Sequence, residues 1–200
     1  NRKTFSNILM PNVHHLRHTH LPENLFVKGE PETGADLADD LERIAANIGP
    51  ENIAACIVEP IAGSTGALVP PKGYLQKLRD TCDKHGILLI FDEVITGWGR
   101  TGYPFAAQAF GVTPDIMTMA KAVTNGVVPL GAVASRENIY DTVLDASPMG
   151  AVEFFHGYTY SAIPVSIAAG LAMQNIIEKD NLFQRSKDMS PYFLDGLFSL

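Results

Sequence analysis

Apolar positions change their period several times along this chain. From 36 to 48, Leu37, Leu41, Ile44 and Ile48 recur at helical spacing, and Gly49-Pro50 ends the run. IAACIV at 53–58 is instead a short continuous apolar run, the form taken by a strand covered on both faces. Pro70 and Pro71 then open a second helical pattern through Tyr74, Leu75, Leu78 and Cys82, with Gly86 placed as its C-terminal cap. ILLIF at 87–91 is the clearest strand, followed by a glycine-rich loop and a short FAAQAF segment. DIMTMA at 115–120 and LGAVAS at 130–135 read as further strands joined by the loop KAVTNGVVP. After HGYTYS, an Ala-rich amphipathic helix is predicted over 161–178.

This alternation predicts an α/β fold: a mostly parallel central sheet with helices on both faces. No internal repeat, low-complexity tract or Pro/Ser-rich linker interrupts it. Ligands of such sheets gather at the carboxyl ends of the strands. Glu59, Asp92 and Lys121 all fall at such ends.

Composition narrows the function classes. Two hundred residues, 46% hydrophobic and 18% charged, suit one globular domain of ordinary size. A net charge of −7 argues against a nucleic-acid or anionic-membrane surface, which would want clustered Lys and Arg. No run of apolar residues is long enough to span a bilayer, and the opening NRKTFSNILM lacks the layout of a signal peptide. Cys56 and Cys82 sit in apolar surroundings and read as core thiols of a cytoplasmic, reducing environment. The chain opens without an initiator Met and closes on the apolar PYFLDGLFSL, as a piece cut from something longer would.

Three motifs point elsewhere and are weakened by their flanks. ILLIFDEV has the form of the magnesium-holding strand of P-loop proteins, but G-x-x-x-x-G-K-[ST] is missing. Gly97, Gly99 and Gly102 spell the dinucleotide fingerprint G-x-G-x-x-G. Five residues separate them from the strand, however, and Tyr103-Pro104 follows in place of a helix start. His14, His15, His18 and His20 crowd together, yet their spacing fits no zinc-site pattern and carboxylate or Cys ligands are not near in sequence. A non-catalytic nucleotide- or metal-binding module built on these features is the competing class.

Asp92 and Lys121 suggest a different chemistry. An acid and an amine at neighbouring strand ends can hold a pyridine-ring aldehyde, pyridoxal 5′-phosphate, from two sides. A carboxylate keeps the ring nitrogen protonated and strengthens the ring as an electron sink. The lysine amine condenses with the aldehyde and, once released, shuttles a proton. Val94, two residues after Asp92 on an extended strand, would face the same side and pack on the ring. Each residue also has a plain alternative: a strand-end Asp often caps a turn, and an isolated Lys is usually solvated.

The wording of the motifs goes further. VEPIAGSTG, IFDEVITGWGRTG, PDIMTMAKAVTNGVVPLGAV and FFHGYTYSAIPVSIAAGLA, in this order, resemble the class III or omega-type aminotransferases. The resemblance covers essentially the whole chain and is nearest to the omega-amino acid (β-alanine):pyruvate subgroup. It implies the large domain of a fold-type-I pyridoxal phosphate enzyme, with Lys121 as the Schiff-base lysine and Asp92 as the partner of the ring nitrogen. It further implies Val94 as the ring-stacking residue and Glu59 as an acidic residue near the site. Thr159 stands where the family's threonine reaches the cofactor phosphate of the opposite subunit of a homodimer, with a tetramer as the alternative assembly.

Departures from the pattern bear on substrate. Ala162-Ile163-Pro164 replaces a small polar step, and Trp98 stands where Phe is frequent. A phosphate loop, a tyrosine for the other ring face and a carboxylate-binding arginine are not evident. The resemblance therefore places residues 1–200 in the central part of the large domain, without the N-terminal segment and the C-terminal small domain. The activity it implies moves an amino group from β-alanine or a similar donor to pyruvate, giving malonate semialdehyde and alanine. Taurine, 4-aminobutyrate or a diamine as donor, or an aminomutase, are the alternatives within the family.

Overall fold

The computed structural model describes residues 6–149, 154 and 156–200. The opening NRKTF and Phe155 of the FFHGYTYS motif lie outside the described residues. Four strands, β1 (Ala55–Val58), β2 (Leu88–Asp92), β3 (Ile116–Met119) and β4 (Ala132–Ser135), form one sheet in that order. β1, β2 and β3 run parallel and β4 is antiparallel, as the mostly parallel reading requires. Register pairs Cys56 with Leu89, Val58 with Phe91 and Asp92 with Thr118.

Two helices cover one face. α1 (Asp39–Ile48) carries Asp39, Asp40 and Glu42 in its first turn, where acidic groups favour the exposed N–H ends. α2 (Tyr74–His85) ends on Gly86, whose φ of 68° is the left-handed conformation a glycine adopts without penalty. Leu41, Leu75, Leu78 and Cys82 from these helices, with Leu37 from the 3-10 turn before α1, pack onto Cys56, Leu89 and Phe91 of the sheet. Each fully buried leucine contributes about 1.5–3 kcal/mol. Both cysteines are buried and unbridged. A hydrogen bond with Cys56, followed by burial itself, pushes the Cys82 thiol up, so it stays a neutral core group.

Two expectations need correction. The IAACIV run does not form a strand covered on both faces: Cys56 is buried, but Ile57 is 63% exposed at the sheet edge. The periodic pattern at 161–178 becomes α5 (Pro164–Lys179), starting at a proline because the first helical turn needs no N–H partner there. Three more helices appear: α3 (Ala106–Phe110), α4 (Glu137–Asp145) and α6 (Leu182–Phe198). α6 continues through Pro191, at the head of the segment PYFLDGLFSL that reads as an apolar patch.

Asp115, just ahead of β3, joins several elements. Its Oδ2 accepts the Leu89 N–H at 2.7 Å and Arg79 Nη1 of α2 at 2.8 Å. Arg136 Nη1, ahead of α4, lies 3.3 Å from Oδ1. Backbone bonds run from Asp115 N–H to the Leu89 carbonyl and from Arg136 N–H to the Asp115 carbonyl. Burial pushes the Asp115 carboxyl up. The Leu89 N–H and the two guanidinium groups outweigh it, and the net direction is below the usual carboxylate range.

α6 lies across the glycine loop. A Cβ at Gly99 (φ 96°) would stand 2.8 Å from Phe183 Cδ1, and one at Gly102 (φ 79°) would stand 2.5 Å from Lys187 Cγ. Lys187 Nζ sits 3.6 Å above the Tyr103 ring. These glycines are sites of close approach.

Two outcomes follow for stability. Asp115→Ala removes the buried partner of Arg79, which keeps only Asp83, and should lower stability at neutral pH by about 1.5–3 kcal/mol in denaturant unfolding. Because the folded-state pKa is depressed, that contribution is present above the unfolded aspartate range and disappears as pH falls through the folded value. The gap between wild type and variant should therefore close in acid. Gly99→Ala meets both a positive φ and Phe183. It should cost about 1–3 kcal/mol and expose Arg100 to faster tryptic cleavage.

Candidate active site

The carboxyl ends of β2 and β3 lie level, since Asp92 pairs with Thr118. A last rung follows, in which the Glu93 N–H donates to the Thr118 carbonyl at 2.9 Å. β2 stops at Asp92, and Lys121 comes two residues after β3 ends at Met119. The topology thus brings the predicted acid and amine to neighbouring ends of two parallel strands.

Asp92 is half-buried. Its Oδ1 accepts the Val94 N–H at 3.1 Å, while Oδ2 has no hydrogen-bond partner among the described residues. Val94 itself is not on an extended strand. It is the first residue of a turn, so strand alternation does not aim it, and its own N–H folds back onto Asp92. It is half-buried beside that carboxylate.

Lys121 opens a 3-10 turn (Lys121–Val123) with φ 51°, the left-handed region that a residue with a Cβ seldom occupies. Its carbonyl accepts the N–H of Thr124 at 3.3 Å and of Gly126 at 3.2 Å. The rest of the loop is pinned from inside. The buried Thr124 hydroxyl donates to the Val128 carbonyl at 2.6 Å, and Ser166 of α5 donates to the Pro129 carbonyl at 3.0 Å. At Gly170 of α5, a Cβ would stand 3.3 Å from Leu130 Cδ2, so this side of the helix stays bare to seat the loop. The Lys121 side chain is exposed and has no ion-pair partner among the described residues.

Glu59 follows β1 by one residue and is half-buried. Its Oε2 accepts the Gly63 N–H at 2.9 Å, closing the turn after the strand. Gly63 lacks the Cβ that would strike Ile95, so the loops after β1 and β2 meet there. Thr159 is exposed in the turn before α5, and no hydrogen bond among the described residues ties it to Asp92 or Lys121.

Reading the sequence missed Glu93, which has no solvent exposure. Its Oε2 accepts the Thr96 hydroxyl at 2.6 Å and the Ala106 N–H at 2.8 Å, and Oε1 accepts the Ala107 N–H at 2.7 Å. The first amides of α3, the place where a dinucleotide pyrophosphate would bind, are thus taken by the protein's own carboxylate. With Gly99 and Gly102 occupied by α6, the G-x-G-x-x-G stretch forms no phosphate cradle. The only signal for Glu93 was its place beside Asp92 in a DE pair.

His14, His15, His18 and His20 line one wall of a groove of about 1360 Å³ along the open edge of β1, with Ile44, Ile57 and Glu59 among its other residues. The groove does not include Asp92 or Lys121. Among the described residues no three His, Cys, Asp or Glu side chains converge as a metal site. The chemistry concentrates instead at the β2 and β3 ends. There an acceptor oxygen without a partner and an amine without a counter-ion fit the ring-nitrogen and aldehyde ends of pyridoxal phosphate.

Known proteins give an independent reading. The chain is 58% identical over 201 residues to an omega-aminotransferase of Caulobacter vibrioides, matching 100% of this chain and 45% of that protein. It is 54% identical over 202 residues to a beta-alanine–pyruvate aminotransferase of Pseudomonas aeruginosa, with the same two coverages. The chain thus spans less than half the length of these curated relatives. A thermostable (S)-enantioselective omega-transaminase from Thermomicrobium roseum superposes with a TM-score of 0.70 at 45% identity, over 75% of this chain and 33% of that one. The family model described as aminotransferase class-III matches residues 1–200, from end to end. With that match, the chain belongs to the class III aminotransferase family.

Proposed function

We propose that the whole protein transfers an amino group from β-alanine or a similar omega-amino acid to pyruvate. The observation that carries this reading is the pair at the strand ends: Asp92 with one unpartnered oxygen, Lys121 with an uncompensated amine. The names of the two curated relatives support the choice of donor and acceptor. Pyridoxal phosphate is the cofactor of the class III family. When bound, it supplies an aldehyde that exchanges amino groups and a protonated ring that draws electrons from the substrate carbon.

The chain's own residues then divide the work. Asp92 Oδ2 would hold the proton of the ring nitrogen, while its Oδ1 stays fastened to the Val94 amide. Lys121 Nζ would hold the aldehyde end of the cofactor and, once released, would move the substrate proton, working from a loop that α5 braces through Ser166. Val94, half-buried beside Asp92, would cover one face of the ring. Glu59 shapes the loop at the site mouth through Gly63. Thr159, exposed ahead of α5, reaches the phosphate group of a second subunit, which makes the protein a homodimer with shared sites.

Residues 1–200 form the central part of the large domain in this reading. The phosphate loop, a ring-facing tyrosine and a carboxylate-binding arginine come from the remainder of the polypeptide. Buried, unbridged Cys56 and Cys82 suit a cytoplasmic setting. No helix among the described residues is long and apolar enough to cross a membrane.

Full-length protein given β-alanine and pyruvate should form alanine, and borohydride should fix the cofactor on Lys121. Lys121→Ala should hold the cofactor non-covalently and lose transamination by at least about 10³-fold. A colourless wild type without an adduct at Lys121 would refute the reading, and a donor panel including taurine, 4-aminobutyrate and a diamine would correct the substrate alone. Asp92→Asn should slow proton transfer far more than it weakens cofactor binding, by about 10²–10⁴-fold in single-turnover kinetics. Equal rates in the two proteins would remove Asp92 from the mechanism.

A further inference from the structure

Glu93 lies between Asp92 and Val94 and is fixed by five hydrogen bonds. Its two carboxylate oxygens accept Thr96 Oγ1 at 2.6 Å and the N–H groups of Ala106 at 2.8 Å and Ala107 at 2.7 Å. Its own N–H donates to the Thr118 carbonyl, and its carbonyl accepts the Gly97 N–H, both at 2.9 Å. A Cβ at Gly97 would stand only 2.9 Å from that same carbonyl, so no side chain fits between the two.

Stability alone gives little reason for such a residue. A buried ionised side chain is costly to desolvate, and an apolar side chain of similar volume often serves a core as well or better. What five bonds do supply is orientation. They lock both peptide planes flanking residue 93, and with them the Asp92 and Val94 main chain. Asp92 keeps only its own side-chain torsions, and the Val94 amide, aimed by Glu93, captures its Oδ1. The direction of the remaining oxygen is then set by a neighbour that touches no ligand.

We propose that Glu93 is a positioning residue: it aims the Asp92 carboxylate at the cofactor's ring nitrogen by clamping the end of β2 to the start of α3. This rests on the reading of Asp92 given above. Thr96 is the second member of the clamp, since its hydroxyl neutralises part of the demand on Oε2 and is itself buried.

The test uses the full-length holoenzyme. Glu93→Gln replaces one acceptor oxygen with a donor NH2 that faces a backbone N–H, while keeping the side-chain volume. The cofactor should still be fixed on Lys121 by borohydride. The pH titration of the bound cofactor's absorption should move, because the ring-nitrogen proton is held less well. The kcat should fall about 10- to 100-fold, with KM for the amine donor changed less than about twofold. Thr96→Val should give the same pattern more weakly.

A Glu93→Gln enzyme with lowered thermal stability but wild-type absorption titration and kcat would overturn the proposal. If Glu93→Gln does not fold, Thr96→Val decides it by the same two readouts. Asp92→Asn run in parallel separates the two layers. If that variant too is wild-type-like, the role of Asp92 falls. If it is impaired while Glu93→Gln is not, only the positioning role falls.

Discussion

Asp115 reaches back from the start of β3 to Leu89, its backbone N–H and its carboxylate Oδ2 both engaging that one residue of β2. That clasp sets which residues pair next: Ile90 with Ile116, Phe91 with Met117, Asp92 with Thr118. A slip of one residue would turn every side chain of β3 to the opposite face and would separate the strand ends that carry the acid and the lysine. The same carboxylate holds Arg79 of α2 and Arg136 ahead of α4, so helix, parallel pair and antiparallel edge are referred to one point. Register in a parallel sheet has no short turn to define it. A buried ionic clasp serves that purpose here.

From that register the site follows as a matter of strand ends. The loops leaving β1 and β2 touch through Gly63 and Ile95, and the loop leaving β3 is braced by Ser166 and Gly170 of α5. Each loop is short of regular structure yet rich in internal bonds. This is how irregular backbone can hold reacting groups in place over a rigid sheet.

Much of this was legible in the sequence. Unbroken apolar runs such as ILLIF announce buried strands, and the carboxyl ends of such strands are where chemistry collects, so Asp92 and Lys121 could be chosen before any coordinates. Wording specific to one family did the rest. What stayed hidden depended on contacts distant in sequence. Nothing local tells the Asp of a DE pair from the Glu. Only the arrival of α3 gives Glu93 its three carboxylate donors. Val94 looked like a strand residue until the turn bent it back. α6 was obscured by Pro191, and IAACIV gave no sign that one of its faces would remain open. The flanks of the glycine triplet mark it as loop rather than fingerprint, but the reason for its glycines, the approach of Phe183 and Lys187, lies some eighty residues downstream.

The left-handed backbone at Lys121 has a further consequence. On conformational grounds, position 121 belongs to glycine: a side chain there costs on the order of 1 kcal/mol or more, and glycine would relieve it. Under the role proposed for Lys121, stability and chemistry make opposite demands on a single residue. An engineer selecting only for heat resistance would be drawn toward the substitution that silences the protein.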